Sequence, residues 1–567
     1  MFGQTRTAYE FGPYRLDASD RQLLRNGQVV PLRPKVFDVL LALVQNSGHI
    51  LSKDEVMKIV WPNTAVEEGN LARNISTLRS VLGEPARAGQ YIETIPWRGY
   101  RFVAGVKKVQ DLWTGPALES IAVLPLVNVG GDPKRDYLAD GITESLITKL
   151  AQLTNLRVTS RHSAFRYRGR DPGAQTVGRE LKVQAILTGR VAETEDMLSI
   201  SIELIEAEND RHIWGAQYIR RPDDLFAAQE TIAREMALRL GVEMTGGQEL
   251  RLGKHHTHSR DAYLLFLKGR YHFNKLTPDG VQKSLEYLQQ AIALDPDYAL
   301  AFAALADAHN YLAQRDEAKQ ALLRALELDE SLGEAHASLG FFKFLYEWDF
   351  AGAEQEFERA LALAPNYAEA HHWYAIYLAN LGRHEEAFRE AEIAVARDPL
   401  SLLMNMTAAL NFYTGREYDR AVAQLEKVIE MDRHFLAAHS VLGCVYVQKE
   451  QFPQALAEFD TVLDFVRNEP PVAASVKMIM AQALARWGKR DEARKLLAEV
   501  ATVPVSSYSL AGVYAALGEM DKAYELLHQA LAEHDLQLVS LKVDPALDGL
   551  RADPRFAELV RRVGLTS

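Results

Sequence analysis

From about residue 260 onward the chain repeats itself, and that periodicity constrains the fold more than any other feature. One column of small residues reads Ser284, Ala318, Ala353, Ala387, Ala421, Ala455, Ala493 and Ala523, mostly 34 residues apart. Four positions later stand Leu288, Leu322, Phe357, Ala391, Leu425, Phe459, Leu497 and Leu527; three further on come Ala291, Ala325, Ala360, Ala394, Val428, Val462, Val500 and Ala530. At helical spacing the three columns share one face, and their small members let a neighbouring helix approach closely. Proline follows at Pro296, Pro365 and Pro399, where a helix ends. Such a period belongs to paired helices stacked in a solenoid, each unit burying its apolar face against the next.

The first helix of a unit carries its own marks, Leu339-Gly340, Leu442-Gly443 and Leu510-Ala511, with Tyr446 and Tyr514 further along. Together these columns resemble the tetratricopeptide repeat. Eight units are counted over residues 262–544, the first (about 262–296) and the seventh (about 470–503) irregular. Pro545 to Leu565, including Asp553-Pro554-Arg555-Phe556, reads as a capping helix over 545–567. The resemblance implies an all-α superhelix whose groove takes a protein or peptide partner. A spacer, or a surface for self-association, is the plainer alternative.

With 567 residues in all, the part before the repeats is too long for one small core, so the protein is multidomain. The net charge of −12 would by itself argue against nucleic acid as a partner. The charge is unevenly spread, however. Residues 1–110 hold 15 Lys and Arg against 10 Asp and Glu, whereas residues 111–250 sum to −5 and the remainder to −12. A basic head on an acidic body suggests a nucleic-acid contact confined to the head. The single cysteine, Cys444, allows no internal disulfide and no Cys-based zinc site, as is ordinary in a reducing cytosol. No apolar leader follows Met1-Phe2-Gly3, and the apolar run Ile121 to Val127 is short and contains Pro125, so a cytoplasmic protein without membrane contact is expected.

The head reads as strands, three helices and a hairpin. Tyr9-Glu10-Phe11 and Tyr14-Arg15-Leu16 flank Gly12-Pro13, and two further apolar runs flank Asn26-Gly27, a strong hairpin-turn pair. Pro34 sits where a first helix would start, with Val36, Phe37, Leu40, Leu41, Leu43 and Val44 as its apolar face. Ser52 with Glu55 has the spacing of a capping box, opening a second helix that is expected to bury Val56, Ile59 and Val60. In the third helix, which ends near Gly83, Leu71, Ile75, Leu78 and Leu82 face the core. The opposite face then presents Arg73, Ser76, Thr77 and Ser80, with Asn74 and Arg79 on its flanks. These residue types suit base edges and phosphates; the plainer reading is a solvated helix face.

The ending Ile92-Glu93-Thr94-Ile95-Pro96-Trp97-Arg98-Gly99-Tyr100-Arg101-Phe102 reads as two short strands around a basic turn. Taken with Asn26-Gly27 and Leu78-Arg79, it resembles the effector domain of OmpR/PhoB-type response regulators, a winged helix-turn-helix covering residues 8–105. The resemblance implies an α+β head whose third helix enters the major groove of double-stranded DNA while the hairpin wing reaches an adjacent groove or backbone. Carried over by position, Arg73, Asn74 and Thr77 would touch bases or phosphates, with Ser76 and Ser80 on the same face. Arg79 would meet a phosphate, and Arg98 and Arg101 would anchor the wing. Ser76-Thr77 stands where many members have two arginines, which implies weaker binding per domain and dependence on pairing copies, hence a homo-oligomer. No receiver domain is expected before the head, so control would come from the rest of the chain.

Between head and repeats, after a linker from Asp111 to Thr114, Ser120 to Leu126 reads as a buried strand and Asp140 to Leu150 as a helix. Leu156 to Ser160, Ala185 to Gly189 and Leu198 to Leu204 read as strands, and Leu225 to Leu240 as a closing helix, a mixed α/β order. With Leu187-Thr188-Gly189-Arg190 and Ile213-Trp214, residues 119–241 resemble the TolB amino-terminal-like domain, which implies a fold and no reaction. Arg161, His162, Arg166, Arg168 and Arg170 form a basic cluster read as a solvated loop or an anion site. Gly130-Gly131-Asp132 is read as a turn, His255, His256 and His258 as a polar join without metal, and Cys444 as a small packed residue. No catalytic residues, cofactor or metal are expected. The reading is therefore a DNA-binding transcriptional regulator, not an enzyme; the alternative is a repeat scaffold whose winged helix docks protein.

Overall fold

The computed structural model describes residues 7–17, 22–25, 28–61, 68–83, 90–110, 118–130, 132–170, 172–194, 197–242, 256–275, 277–467 and 469–565. The expected turn at Asn26-Gly27, the linker from Asp111, Gly131 and His255 lie outside them.

The head opens with four short antiparallel strands, β1 (Thr7–Phe11), β2 (Tyr14–Asp17), β3 (Gln22–Arg25) and β4 (Gln28–Val30). Helix α1 (Pro34–Gln45) follows, then β5 (Ile50–Leu51), α2 (Lys53–Val60) and α3 (Glu68–Val81). The hairpin β6 (Ile92–Ile95) and β7 (Gly99–Phe102) closes this order, with β5 pairing β7. A further strand, β8 (Lys107–Gln110), lies past the expected limit at residue 105 and pairs β1 antiparallel. The aromatic rings of Phe11, Tyr14, Tyr91 and Phe102 pack edge and face between the two sheets, at centroid separations of 5.0 to 6.4 Å.

Local chemistry accounts for most of these elements. Pro34 occupies the first turn of α1, where its missing N–H costs nothing. The capping box forms in full: Glu55 N donates to Ser52 Oγ (3.2 Å) and Ser52 N to Glu55 Oε2 (2.8 Å). One expectation fails, since Ile59 is about half exposed. Two-turn α2 meets the core along an arc through Val56, Val60 and Met57, and Ile59 falls outside that arc.

The middle region holds a six-stranded mixed sheet. Its strands are β9 (Ser120–Val123), β10 (Val127–Asn128), β11 (Arg157–Val158), β12 (Ala185–Glu193), β13 (Leu198–Glu206) and β14 (Arg211–Arg220). The order is β11-β9-β12-β13-β14; β9, β10 and β11 run in parallel pairs and the last three strands antiparallel. Around it lie α4 (Asp136–Ala151), α5 (Arg161–Phe165), α6 (Ala174–Leu181) and α7 (Leu225–Arg239). The strand expected over 156–160 shrinks to two residues, because Ser160 caps α5 by accepting from Ser163 N. Of the basic cluster, Arg161 and His162 lie on α5, while Arg166, Arg168 and Arg170 lie in the exposed turn after it. Arg161 pairs with Glu144, Arg168 with Asp140, and Arg166 donates to Leu400 O.

Eight helix pairs follow among the described residues, from Arg260–Phe273 with Pro278–Leu294 to Ser507–Leu517 with Met520–Ala532. Every member of the small-residue column is fully buried. Gly443 shows why: a Cβ there would stand 2.4 Å from the Phe459 ring of the paired helix. The middle region and the repeats share one core, running from Leu118 through Trp214 and Tyr263 to Ala301. Polar bonds extend the seam. Asn366 Nδ2 donates to Leu153 O (2.9 Å), Leu400 N donates to Ser163 Oγ (2.9 Å), and Glu144 holds both Arg161 and Arg270.

The expected capping helix over 545–567 resolves into a 3-10 turn, Pro545–Leu550, and a helix that starts only at Pro554, capped by Asp553. Residues 535–565 double back over the first helices of several repeats. Arg416 donates to Val543 O (2.7 Å) and pairs with Asp548 (2.6 Å), Gln482 donates to Ala546 O (3.2 Å), and Tyr524 O–H donates to Leu550 O (2.9 Å). His534 stacks on Trp348 of the third repeat at 3.8 Å, joining the end of the solenoid to its third unit. None of the described helices is long and apolar enough to cross a membrane.

Candidate nucleic-acid interface

Helix α3 is anchored by Leu71, Ile75 and Leu78, all buried, so the residues between them must face outward. Arg73, Ser76, Thr77 and Ser80 are exposed, and Asn74 and Arg79 are half-buried at the flanks. The face is thus as expected, but its members are not equally free. Thr77 Oγ1 donates back to Arg73 O (3.0 Å) and Asn74 Nδ2 to Asn70 O (2.8 Å), which leaves the Asn74 amide oxygen and the Thr77 hydroxyl oxygen as acceptors. Arg73 has no partner among the described residues.

Arg79 turns inward to the wing. One of its terminal nitrogens donates to Ile92 O (2.8 Å) and to Thr94 Oγ1 (2.8 Å). Arg101 is likewise held, by Glu93 directly across the hairpin, with Nε at 3.0 Å and Nη2 at 2.6 Å from the same carboxylate oxygen. These two arginines tie the third helix to the wing and the wing strands to each other. Neither stands free for an anion. Arg98 alone among the wing arginines is exposed and unpartnered among the described residues.

The wing turn is built tightly. Arg98 N donates to Ile95 O (3.1 Å), and Trp97 sits at its tip with φ 64° and its side chain fully exposed. Sequence reasoning assigned Trp97 no role; a large aromatic between Pro96 and Arg98 in a turn was the available signal. Gly99 has φ +141°, and a Cβ on it would lie 2.0 Å from Leu51 O, so only glycine lets β7 pass β5. The surface that results combines a polar helix face, one free arginine on it, and a wing bearing Trp97 and Arg98. It offers hydrogen-bond donors and positive charge with no acid on the helix face.

Comparison with known proteins agrees with this geometry. The family described as "Transcriptional regulatory protein, C terminal" matches residues 27–102, and tetratricopeptide repeat families match 299–332, 356–389 and 406–473. A putative adenylate cyclase of Rhizobium meliloti (strain 1021) is 32% identical over 282 residues, 48% of this chain and 42% of its own length. The transcriptional regulator HilA of Salmonella typhimurium is 25% identical over 423 residues, 71% of this chain and 73% of its own. The transcriptional activator CadC of Escherichia coli (strain K12) is 34% identical over 96 residues, 17% of this chain and 19% of its own. The chain thus spans less than half the length of the cyclase relative. It carries a DNA-binding domain of the transcriptional-regulator type together with tetratricopeptide repeats, and is similar to transcriptional regulators.

Proposed function

We propose that this chain regulates transcription by binding double-stranded DNA through residues 8–105, with α3 in the major groove and the wing against a neighbouring groove or backbone. The observation that carries the reading is the third-helix face: Arg73, Ser76, Thr77 and Ser80 project from a helix whose other side is wholly committed to the core. Arg73 and the acceptor on Asn74 are the base-reading candidates, Ser76, Thr77 and Ser80 contact phosphate or sugar, and Arg98 with Trp97 meets the second groove. Arg79 and Arg101 act by positioning rather than by touching DNA. With two of four arginines used internally, phosphate contacts per head are few, which supports binding by more than one copy.

In this reading residues 119–241 form a TolB-like α/β module that seats on the solenoid over 262–544, and residues 545–567 close it. The repeats bind a protein or peptide, or a second copy, and so set DNA occupancy in a cytoplasmic regulator. The first-helix faces crossed by residues 535–565 are covered, so a partner must use another part of the solenoid or displace that segment. Footprinting of the full chain on genomic fragments tests the reading. Discrete protected sites support it; retention of all fragments alike, or none, supports instead a scaffold whose winged helix docks protein. Conversion of ATP by the purified chain would point to the cyclase relative's chemistry instead.

A further inference from the structure

Between the doubled-back C-terminal segment and the first helices of repeats five to eight lies a cavity of about 290 Å³. Its size is at the lower edge of ordinary small-molecule pockets, about 300 Å³. Val447, Met478 and Leu547 supply apolar wall, and Tyr413, Tyr508 and Asp544 supply the polar groups that matter here. The Asp544 carboxylate accepts from Ala546 N (2.9 Å) and from Tyr508 O–H (2.9 Å), and no ion pair among the described residues reaches it. Arg551, whose charge acts on Asp544, makes its bonds elsewhere: it pairs with Asp548 and donates to the backbone carbonyls of Lys542 and Asp544. Burial raises the Asp544 pKa, and the hydrogen bonds from Ala546 and Tyr508 and then the Arg551 charge offset it only in part. The carboxylate's field reaches the cavity lining, since burial and then Asp544 both disfavour ionisation of the Cys444 thiol. A half-buried carboxylate that makes no ion pair among the described residues carries a desolvation cost, and a cation entering the cavity would relieve it.

We propose that this cavity binds a small organic cation, an amine or guanidine of amino-acid size, with Asp544 as its counter-ion and the rings of Tyr413 and Tyr508 as its walls. Tyrosine faces attract such cations, and the apolar wall accommodates a short carbon skeleton. Because Asp544 belongs to the segment that crosses the repeats, the ligand ties that segment to the repeats' first helices. Occupancy thereby sets how firmly the covered face stays covered.

Cys444, the only cysteine, lines the cavity and reports on what enters it. The full chain is treated with cationic aminoethyl, neutral methyl and anionic sulfonatoethyl methanethiosulfonates, and Cys444 labelling rates are read by mass spectrometry. Each rate is divided by that of the urea-unfolded chain, so the reagents' differing intrinsic reactivities cancel, and the slow chemistry of the buried thiol, common to all three, drops out of their ratio. The cationic reagent should then exceed the anionic one by about tenfold or more, and Asp544→Asn, which removes the charge, keeps one acceptor oxygen for Ala546 N and turns the other position into a donor that the Tyr508 hydroxyl can accept from, should remove that preference. Equal corrected rates, a preference unchanged in Asp544→Asn, or no labelling by any reagent would each overturn the proposal. Should Asp544→Asn not fold, protection of Cys444 in the unaltered chain decides: phenethylamine protects and phenylethanol does not, and any other pattern counts against the site.

Discussion

Arg79 and Arg73 stand six positions apart on α3 and do opposite work. Arg79 spans helix and wing with bonds to Ile92 O and Thr94 Oγ1, an arrangement that a lysine's compact ammonium cannot reproduce. Arg79→Lys should therefore weaken DNA binding and loosen the wing, measured by anisotropy and by amide exchange at residues 92–95; a plain phosphate contact would tolerate it. Which arginines are free was not legible from the third helix alone, because their acceptors lie on another element. The Glu93–Arg101 pair, by contrast, was available in the sequence: the two residues are equidistant from the Pro96-Trp97-Arg98 turn, and antiparallel register places them opposite each other. Gly99 makes a sharper test. Gly99→Ala forces a side chain into Leu51 O and should cost on the order of 3 kcal/mol, read as earlier thermal loss of the head's structure.

Elements were predicted well wherever a periodic pattern or a cap defined them. The three repeat columns are buried almost without exception, Leu497 in the irregular seventh unit being only half-buried. Strand β14 escaped notice because it begins Arg211-His212 and ends Ile219-Arg220, largely exposed, and buries chiefly Trp214 and Tyr218. At α2 the capping box is specific enough to test. Ser52→Ala should cost about 1 kcal/mol. Its reciprocal partner is pH-dependent: hydrogen bonds from Ser52, the backbone N–H first, hold the Glu55 carboxyl below its usual range. That contribution is present above the unfolded pKa and fades as pH falls through the lowered folded value. In the fourth repeat His372 is buried, and burial lowers its pKa to about 4. Since the unfolded histidine takes up a proton near pH 6.5 that the folded one refuses, stability should fall between about pH 6.5 and 4, by on the order of 3 kcal/mol. His372→Gln should flatten that part of the unfolding profile.

At the scale of the whole molecule, the middle region and the solenoid behave as one packed body through the shared core and the seam at Glu144. Local periodicity carries no trace of this seam, nor of the C-terminal segment crossing the repeats, because both depend on contacts between distant parts of the chain, such as Glu144 with Arg270 and Arg416 with Val543. Arg270→Ala leaves Glu144 with Arg161 alone in an enclosed setting and should destabilise middle region and repeats together, by about 3 kcal/mol, seen as a single lowered transition. The acidic body would repel DNA, which supports the proposal that DNA contact is confined to the basic head. The most direct test of that claim is anisotropy of the full chain on a footprinted duplex and on its scrambled counterpart, at matched salt, with Arg73→Ala alongside. The footprinted duplex should bind about a thousandfold more tightly or better, and Arg73→Ala should narrow the gap by about 1–3 kcal/mol. Equal affinity for the two duplexes, with or without Arg73, would contradict it.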